Sequence, residues 1–296
     1  MDRISPQPAK HATAWGVACG TGAALCWALG FVAARHGVLV GLSPLVLALH
    51  RFAWPGLALL PFVVANDARH LGGVGWRRGI ALTVFGGLPL ALLSYFGYLF
   101  VPLGHGGIIQ PSCAALGGLV LARLVLQEAS PPRRIVGAIV IVFGLAVIGS
   151  EALQTMGAQG LAGDFLFVAA GSFFAVFGTL IRLWRIAPMR AAAVTSVLSL
   201  VGLPLLLWSF DSLLAAGFWE NLLQAVVQGA FAGAGAIYLF TRAVGLLGVG
   251  RAALYPSLVP PFTLLVGFLA LGEVPSPWQL VGLVIVIAGF RLTQNS

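Results

Sequence analysis

Residues 106–145 read GGIIQPSCAALGGLVLARLVLQEASPPRRIVGAIVIVFGL, and residues 251–290 repeat the pattern as RAALYPSLVPPFTLLVGFLALGEVPSPWQLVGLVIVIAGF. The two stretches align without a gap, with identical residues at ten of forty positions. Each copy has a Pro-Ser step, an apolar run, a glutamate, a turn containing proline and a second apolar run with two glycines. A long internal repeat indicates a chain built from two related halves.

The composition places both halves in a membrane. Hydrophobic residues make up 59% of the 296-residue chain, and only 8% of its residues are charged. This balance predicts a polytopic α-helical membrane protein, because a β-barrel would show short alternating segments instead of long apolar runs. The net charge of +8 comes from basic residues at the ends of apolar runs, so it indicates membrane orientation and no nucleic-acid partner.

A membrane span needs about 20 apolar residues, and the chain has ten such runs. Their connections are short, and the longest polar breaks are 66–78 and 151–163. The second break divides the chain into halves of five spans each. The predicted spans are 14–34, 43–65, 79–101, 106–126, 134–150, 164–184, 189–210, 221–243, 250–271 and 278–293.

The basic residues predict the orientation of the ten spans. With the N-terminus inside, fourteen of sixteen basic residues fall on the cytoplasmic side, Arg35 falls outside and Arg51 lies within a span. Both termini are then cytoplasmic, and the second half enters the membrane from the opposite side. The fold prediction is therefore all-α, with two inverted five-helix repeats. The predicted parts are a cytoplasmic tail (1–13), the first repeat (14–150), a periplasmic linker (151–163) and the second repeat (164–293).

Prolines within the spans predict kinks, because proline removes a backbone hydrogen-bond donor. Pro111 and Pro256 occupy equivalent positions in the two repeats. We expect their helices to bend as a symmetric pair and these two residues to act as hinges.

Trp27 and Gly30 stand late in the first predicted span, the second contains His50-Arg51-Phe52, and a proline, a glutamate and two glycines recur in both halves. In these features the chain resembles the EamA-type branch of the drug/metabolite transporter superfamily over residues 14–293. In the second half, Thr195-Ser196 stands near the place where Arg51 would have a counterpart, which departs from the pattern. The recurring residues are Pro111, Glu128, Gly137 and Gly144, with Pro256, Glu273, Gly282 and Gly289.

This resemblance implies a secondary transporter that works by alternating access. Bacterial members similar to this chain are often inner-membrane exporters of amino acids and related metabolites. We therefore expect the export of small amphipathic metabolites, above all amino acids, including aromatic ones. Export of drugs or of other metabolites is the alternative.

Arg51 is the only charged residue well inside a predicted span. Such a charge costs about 2.5–3.5 kcal/mol on insertion scales, so it should face the bundle interior and find partners. One interpretation is that its fork of donors binds a substrate carboxylate. The other is structural: Arg51 ties helix ends through backbone carbonyls or pairs with Glu273. The adjacent His50 is either part of the same site or a buried neutral histidine held by one hydrogen bond.

Aromatic and hydroxyl side chains complete the predicted substrate site. Tyrosine offers an apolar wall with a polar tip, which suits a cavity for amphipathic solutes and equally suits the membrane interface. Tyr95 and Tyr98 are three residues apart and share a helix face. Beyond Arg51 and His50, the predicted site contains Trp27, Tyr95, Tyr98, Ser112, Tyr238, Tyr255 and Ser257.

The eight acidic residues all lie at predicted span ends or in loops. Carriers driven by protons or sodium commonly place a carboxylate within the bilayer. We therefore expect no obligatory cation binding at a buried acid, and facilitated diffusion of the substrate. His105 is predicted to lie in a short, solvated outer turn.

No sequence motif supports an enzyme. The chain lacks a serine–histidine–aspartate set, HExxH, a phosphate loop and an intramembrane aspartate pair. Its three cysteines have no metal-ligand spacing, so we expect neither a metal nor a cofactor. An intramembrane enzyme and a passive pore remain the alternatives from other classes. The expected partners are a small-molecule substrate and the lipid bilayer, and the oligomeric state is left open, with a monomer compatible.

Overall fold

A computed structural model describes residues 10–128, 131–247, 252 and 255–294 of the chain. Within these ranges the regular elements are all helices, as the composition predicts. The α-helices are α1 (Lys10–Leu39), α2 (Pro44–Ala65), α3 (Trp76–Gly86), α4 (Leu88–Gly97), α5 (Leu103–Leu124), α6 (Pro132–Leu183), α7 (Pro188–Ser199), α8 (Phe210–Ala215), α9 (Gly217–Gln224), α10 (Ala236–Leu247), α11 (Val259–Leu271) and α12 (Pro277–Gln294).

Seven helical segments among the described residues are long and apolar enough to cross a membrane, so the chain is a multi-pass membrane protein. The sequence predicts ten spans. Two of the remaining predicted spans appear as the shorter apolar helices Tyr255–Leu271 and Pro277–Thr293. The third lies in α6, whose 52 residues cover two predicted spans.

Helix α6 is broken at Gly157. This residue has φ 62° and ψ −148°, a conformation that only glycine adopts readily. A straight helix of this length would extend about 78 Å, more than twice the hydrocarbon thickness of a bilayer. The segment 151–163, predicted as a linker, is thus helical on both sides of this single break. The division into two halves stays a prediction.

Three other predicted spans depart from regular α-helix. The third consists of α3 and α4, which meet at Gly87. The seventh continues beyond α7 as the 310 helix Leu200–Trp208, where Pro204 cannot donate the hydrogen bond that an α-helix requires. The eighth contains a π-helical segment, Ala225–Gly235, between α9 and α10. Such π-helical turns are frequent at functional sites.

The hinge prolines do not have the symmetric geometry that the repeat predicts. Pro111 lies inside the continuous helix α5, whereas Pro256 lies in the 310 helix Tyr255–Leu258, which precedes α11. The expectation of a symmetric bend is therefore wrong for this conformation. The hinge role of the two residues stays a prediction.

The glycines of the repeat form a close helix crossing between the first half of α6 and α12. A Cβ atom on Gly137 would lie 2.7 Å from the carbonyl oxygen of Gly289, and one on Gly144 would lie 3.0 Å from that of Gly282. The reciprocal distances are 2.8 Å and 3.0 Å. Only glycine lets the two backbones approach this closely, as is common for helices packed in lipid.

An ion pair marks each end of the bundle. Arg35 Nε lies 2.7 Å from Glu273 Oε1, and we call this end the Glu273 end. At the opposite end of α5, which we call the Glu128 end, Arg182 pairs with Glu128. The two glutamates occupy equivalent positions in the repeat. The side chains of the first pair are 17% and 23% exposed, and those of the second are 55% and 40% exposed.

Candidate functional site

Gln228 connects three helices around the predicted substrate site. It lies in the π-helical segment and is buried. Its side-chain amide donates to the carbonyl of Gly30 in α1, 3.0 Å away, and its Oε1 accepts from the Tyr95 hydroxyl in α4, also at 3.0 Å. Its backbone carbonyl accepts from Arg51 Nη1 in α2 at 3.2 Å. Arg51, Tyr95 and Gln228 form what we call the Arg51 site.

The guanidinium of Arg51 has donors to spare. It carries five N–H groups, and the structure gives it one acceptor among the described residues, the Gln228 carbonyl. The predicted alternative of a pair with Glu273 is wrong, because Glu273 bonds to Arg35 and to the backbone amide of Leu103. The predicted contact with a backbone carbonyl is present. The remaining donors are available for an anionic ligand.

His50 is held in one neutral tautomer. Its Nδ1 lies 2.9 Å from the indole nitrogen of Trp54, which has only a hydrogen to donate, so Nδ1 must be the acceptor. Its Nε2 therefore carries the proton and donates to Oδ1 of Asn221 at 3.0 Å. Protonating Nδ1 would place two N–H groups against each other. The predicted neutral histidine is thus present, with two hydrogen bonds instead of one.

The two predicted tyrosines of the third span have different surroundings. Tyr95 belongs to the Arg51 site through its hydroxyl. Tyr98 lies just beyond the end of α4, where its ring packs edge-on against Phe167 at 4.8 Å. Its backbone carbonyl accepts from Arg35, which places Tyr98 at the Glu273 end.

The other predicted site residues do not converge on the Arg51 site through any described contact. The Trp27 ring packs against Phe240 at 5.5 Å, which joins α1 to α10. The Ser112 hydroxyl donates to the carbonyl of Ile108 in its own helix. The others lie in the second half: Tyr255 packs on Gly20, Ser257 lies in the 310 helix Tyr255–Leu258, and Tyr238 is an exposed residue of α10.

A buried acidic cluster overturns the expectation that His105 lies in a solvated turn. His105 is fully buried in α5 instead of lying in a solvated turn, and its Nδ1 is 2.9 Å from Oδ1 of Asp164 in α6. Its Nε2 is 3.8 Å from Oε2 of Glu151, also in α6. Both carboxylates are less than a tenth exposed. The solvated turn predicted for His105 is therefore wrong, and the expectation that no buried acid binds a cation obligatorily stays a prediction. We call His105, Glu151 and Asp164 the His105 cluster.

Sequence reasoning missed Gln228 and the His105 cluster. A signal for the first was present, because Gln224 and Gln228 are four residues apart inside an apolar run, and buried amides require partners. Gln224 does bond to the carbonyl of Ala33. For the cluster, the polar composition of 151–163 suggested a loop, and only the structure shows that its flanks are buried helix.

The described residues contain no group of three or more histidine, cysteine or acidic side chains that could hold a metal ion. The three cysteines are free thiols in apolar surroundings.

Comparison with known proteins gives a consistent result. The model of the EamA-like transporter family matches residues 14–150 and again 161–294. An uncharacterized transporter of Archaeoglobus fulgidus is 24% identical over 278 residues, which are 90% of this chain and 94% of the relative. A probable terminal-alkyne amino-acid exporter of Streptantibioticus cattleyicolor is 30% identical over 285 residues, which are 90% and 89% of the two chains.

A protein of known crystal structure shares the fold. It superposes with a TM-score of 0.59 and 17% sequence identity, covering 94% of this chain and 95% of the other. The likeness extends over nearly the whole length of both proteins, and at this identity it concerns the fold alone.

Proposed function

The chain belongs to the EamA-like transporter family, and from that premise we propose that it exports small amphipathic metabolites, above all amino acids, from the cytoplasm. The family and the relatives bear transporter names and no enzyme names. One relative is named as an amino-acid exporter. The proposed setting is the inner membrane of a bacterium, with both termini in the cytoplasm and the Glu273 end facing outward.

The substrate class is inferred from Arg51, whose guanidinium has N–H donors without an acceptor among the described residues. A guanidinium fork matches the two oxygens of a carboxylate, and such a pair is stronger than a hydrogen bond between neutral groups. Tyr95 and Gln228 hold the neighbouring helices α4 and α1 against the site. These contacts favour an amino acid bound through its carboxylate. Efflux of drugs is the second candidate, and it would not require a carboxylate.

Alternating access by two inverted five-helix halves is the proposed mechanism. The family model matches twice, once in each proposed half, 14–150 and 161–294. The glycine crossing adds support, because Gly137 meets Gly289 while Gly144 meets Gly282. Equivalent residues exchange places across this contact, as a two-fold axis requires. The ion pairs of Glu273 and Glu128 provide corresponding contacts at the two ends of the bundle.

Transport by the purified protein in liposomes tests the proposal. We expect uptake of at least one member of a panel of radiolabelled amino acids, and weaker but measurable uptake of the corresponding amide. Arg51→Lys should reduce the apparent affinity for the acid about tenfold or more, because lysine keeps the charge but loses the planar fork. The amide, which lacks the carboxylate, should be affected much less.

Arg77→Lys provides a matched control, because Arg77 is an exposed arginine at the start of α3. It should transport like the wild-type protein. Equal losses of acid and amide transport in a folded Arg51→Lys protein would refute the carboxylate role. Transport of amides as fast as acids by the wild-type protein would favour drug or metabolite efflux instead.

A further inference from the structure

The described part of the chain contains two buried histidines, and their surroundings are opposite. His50 faces an N–H donor at Nδ1 and an amide oxygen at Nε2, which fixes a neutral ring. His105 faces carboxylates at both nitrogens, Asp164 at 2.9 Å and Glu151 at 3.8 Å. A ring between two carboxylates can take up and give up a proton at either nitrogen, whereas the His50 ring cannot.

With both carboxylates ionised, the His105 cluster would carry more negative charge than a buried site normally retains. With a neutral ring and two ionised carboxylates, its net charge would be −2 in a place where each side chain is at least nine-tenths buried. Buried charges that lack partners are costly, and they are normally neutralised. Three atoms of the cluster are buried without a hydrogen-bond partner in the described structure: His105 Nε2, Glu151 Oε2 and Asp164 Oδ2. Each proton that binds reduces the buried charge by one and supplies a donor.

The charged and titratable neighbours of the cluster do not compensate its negative charge. Tyr98 approaches from the end of α4, and its hydroxyl is also without a partner. Arg35 approaches from α1, but its charge is matched by Glu273. Gln279 of α12 lies beside Gly104 and is neutral. Among the described residues named here, none supplies a spare cation that would compensate Glu151 and Asp164.

A route for protons leads from a cavity to the cluster. A cavity of about 380 Å³ lies at the Glu273 end, and Glu151 lines it together with Arg35, Glu273 and Gln279. Nε2 of His105 lies next to Glu151, and Asp164 lies on the other side of the ring, next to Nδ1. The three groups form a chain from the cavity into the helix bundle.

We propose that Glu151, His105 and Asp164 form a proton-binding site, filled from the cavity at the Glu273 end, that couples transport to a proton gradient. One proton enters on Glu151 and passes to Nε2 of His105 once the 3.8 Å between the two groups closes to hydrogen-bond distance, while the proton on Nδ1 moves to Asp164. The transfer adds one proton to the cluster and leaves the ring neutral. The coupling, in contrast to the proton binding, rests on the proposed transport function.

The first test measures proton binding without any substrate. Infrared difference spectra of the protein in lipid vesicles, recorded across a pH step, report the carboxyl and imidazole groups that titrate. We expect wild-type spectra to contain a coupled carboxyl and imidazole signal that is lost in both Asp164→Asn and His105→Gln. Spectra of Asp164→Asn that match the wild type would overturn the proposal.

A matched control lies on the surface. His70 Nδ1 is 2.9 Å from Asp67 Oδ2, the same separation as in the buried pair, but both side chains are exposed. His70→Gln should therefore leave the buried carboxyl and imidazole signal unchanged. If this variant removes the signal, it comes from the exposed pair and the buried cluster binds no proton.

The second test measures coupling. An imposed difference of one pH unit should drive about tenfold accumulation of a transported amino acid in the more acidic compartment if one proton is exchanged for each molecule, and a protonophore should abolish it. Glu151→Gln and His105→Gln should lose this accumulation but retain exchange of labelled for unlabelled amino acid. Accumulation retained by folded variants, or absent in the wild type while exchange is normal, would overturn the coupling. Absence of exchange for every amino acid in the wild type would refute the proposed function and leave the infrared result standing.

Discussion

Glutamine in place of Glu273 should open the Glu273 end of the bundle. The carboxylate accepts from Arg35 at 2.7 Å and from the backbone amide of Leu103 at 2.9 Å, while Arg35 also donates to the carbonyl of Tyr98. These bonds join α1, α4, α5 and the end of α11, so they must break when this end opens. Glu273→Gln retains an oxygen for one donor but removes the charge from the ion pair.

The expected size of the effect follows from the burial of the pair. A hydrogen bond to a charged group contributes about 1.5–3 kcal/mol, and both side chains are less than a quarter exposed. We therefore expect the closed state to lose about 2 kcal/mol, which shifts its equilibrium with the open state about 30-fold. At the exposed Glu128 pair, Glu128→Gln should cost at most about 1 kcal/mol, or about fivefold.

Cysteine labelling can measure this shift. Leu264 is buried and lines the cavity at the Glu273 end, so Leu264→Cys reports its opening. In a background in which the three native cysteines are alanine, the rate of modification by a membrane-impermeant maleimide should rise about 30-fold with Glu273→Gln. Glu128→Gln should slow the reaction or leave it unchanged, because it loosens the opposite end. Equal rates with and without Glu273→Gln would refute the role of this ion pair as a gate.

Two further predictions concern stability and topology. Gly289→Ala places a Cβ 2.8 Å from the carbonyl oxygen of Gly137 and should destabilise the protein by about 1–3 kcal/mol, which lowers its melting temperature. Gly118→Ala, in open space, should raise the melting temperature slightly. A stable Gly289→Ala protein would contradict the close crossing. Cysteines at exposed Val40 and Gln127 should react with impermeant reagents from opposite sides of the membrane, and labelling of both from one side would contradict the proposed orientation.

The helical, membrane-spanning character of the chain was predictable because membrane helices carry a strong local signal, whereas the ten-helix inverted repeat and its orientation stay predictions. Long apolar runs and an excess of basic residues at one set of ends are properties of the chain itself. The helical structure on both sides of Gly157 could not be predicted from these local properties. The polar residues of 151–163 lower the hydropathy as a loop would, yet most of them are good helix formers, and burial against neighbouring helices decides the outcome.

The candidate site was predictable only where one residue was unusual by itself. Arg51 is identified by its charge inside an apolar run. The partners of buried polar groups depend on tertiary contacts, which the local pattern does not contain. Gln228 lies 177 residues from Arg51 along the chain, and Asp164 lies 59 residues from His105. The local pattern therefore predicts a turn at His105, whereas the structure places this residue in a helix beside Asp164.

The glycine crossing between α6 and α12 has a consequence for the history of the chain. Its contacts are those that two antiparallel copies of one helix would make across a two-fold axis, because Gly137 meets the counterpart of Gly144 and Gly144 meets the counterpart of Gly137. A single half, present as two separate molecules, could have formed this contact as a homodimer. In that ancestor every substitution in the contact would have been present in both subunits and would have changed the interface at two symmetric positions. Fusion into one chain would remove that constraint, and the present chain has Arg51 in its first half and Thr195 and Ser196 near the corresponding place in its second.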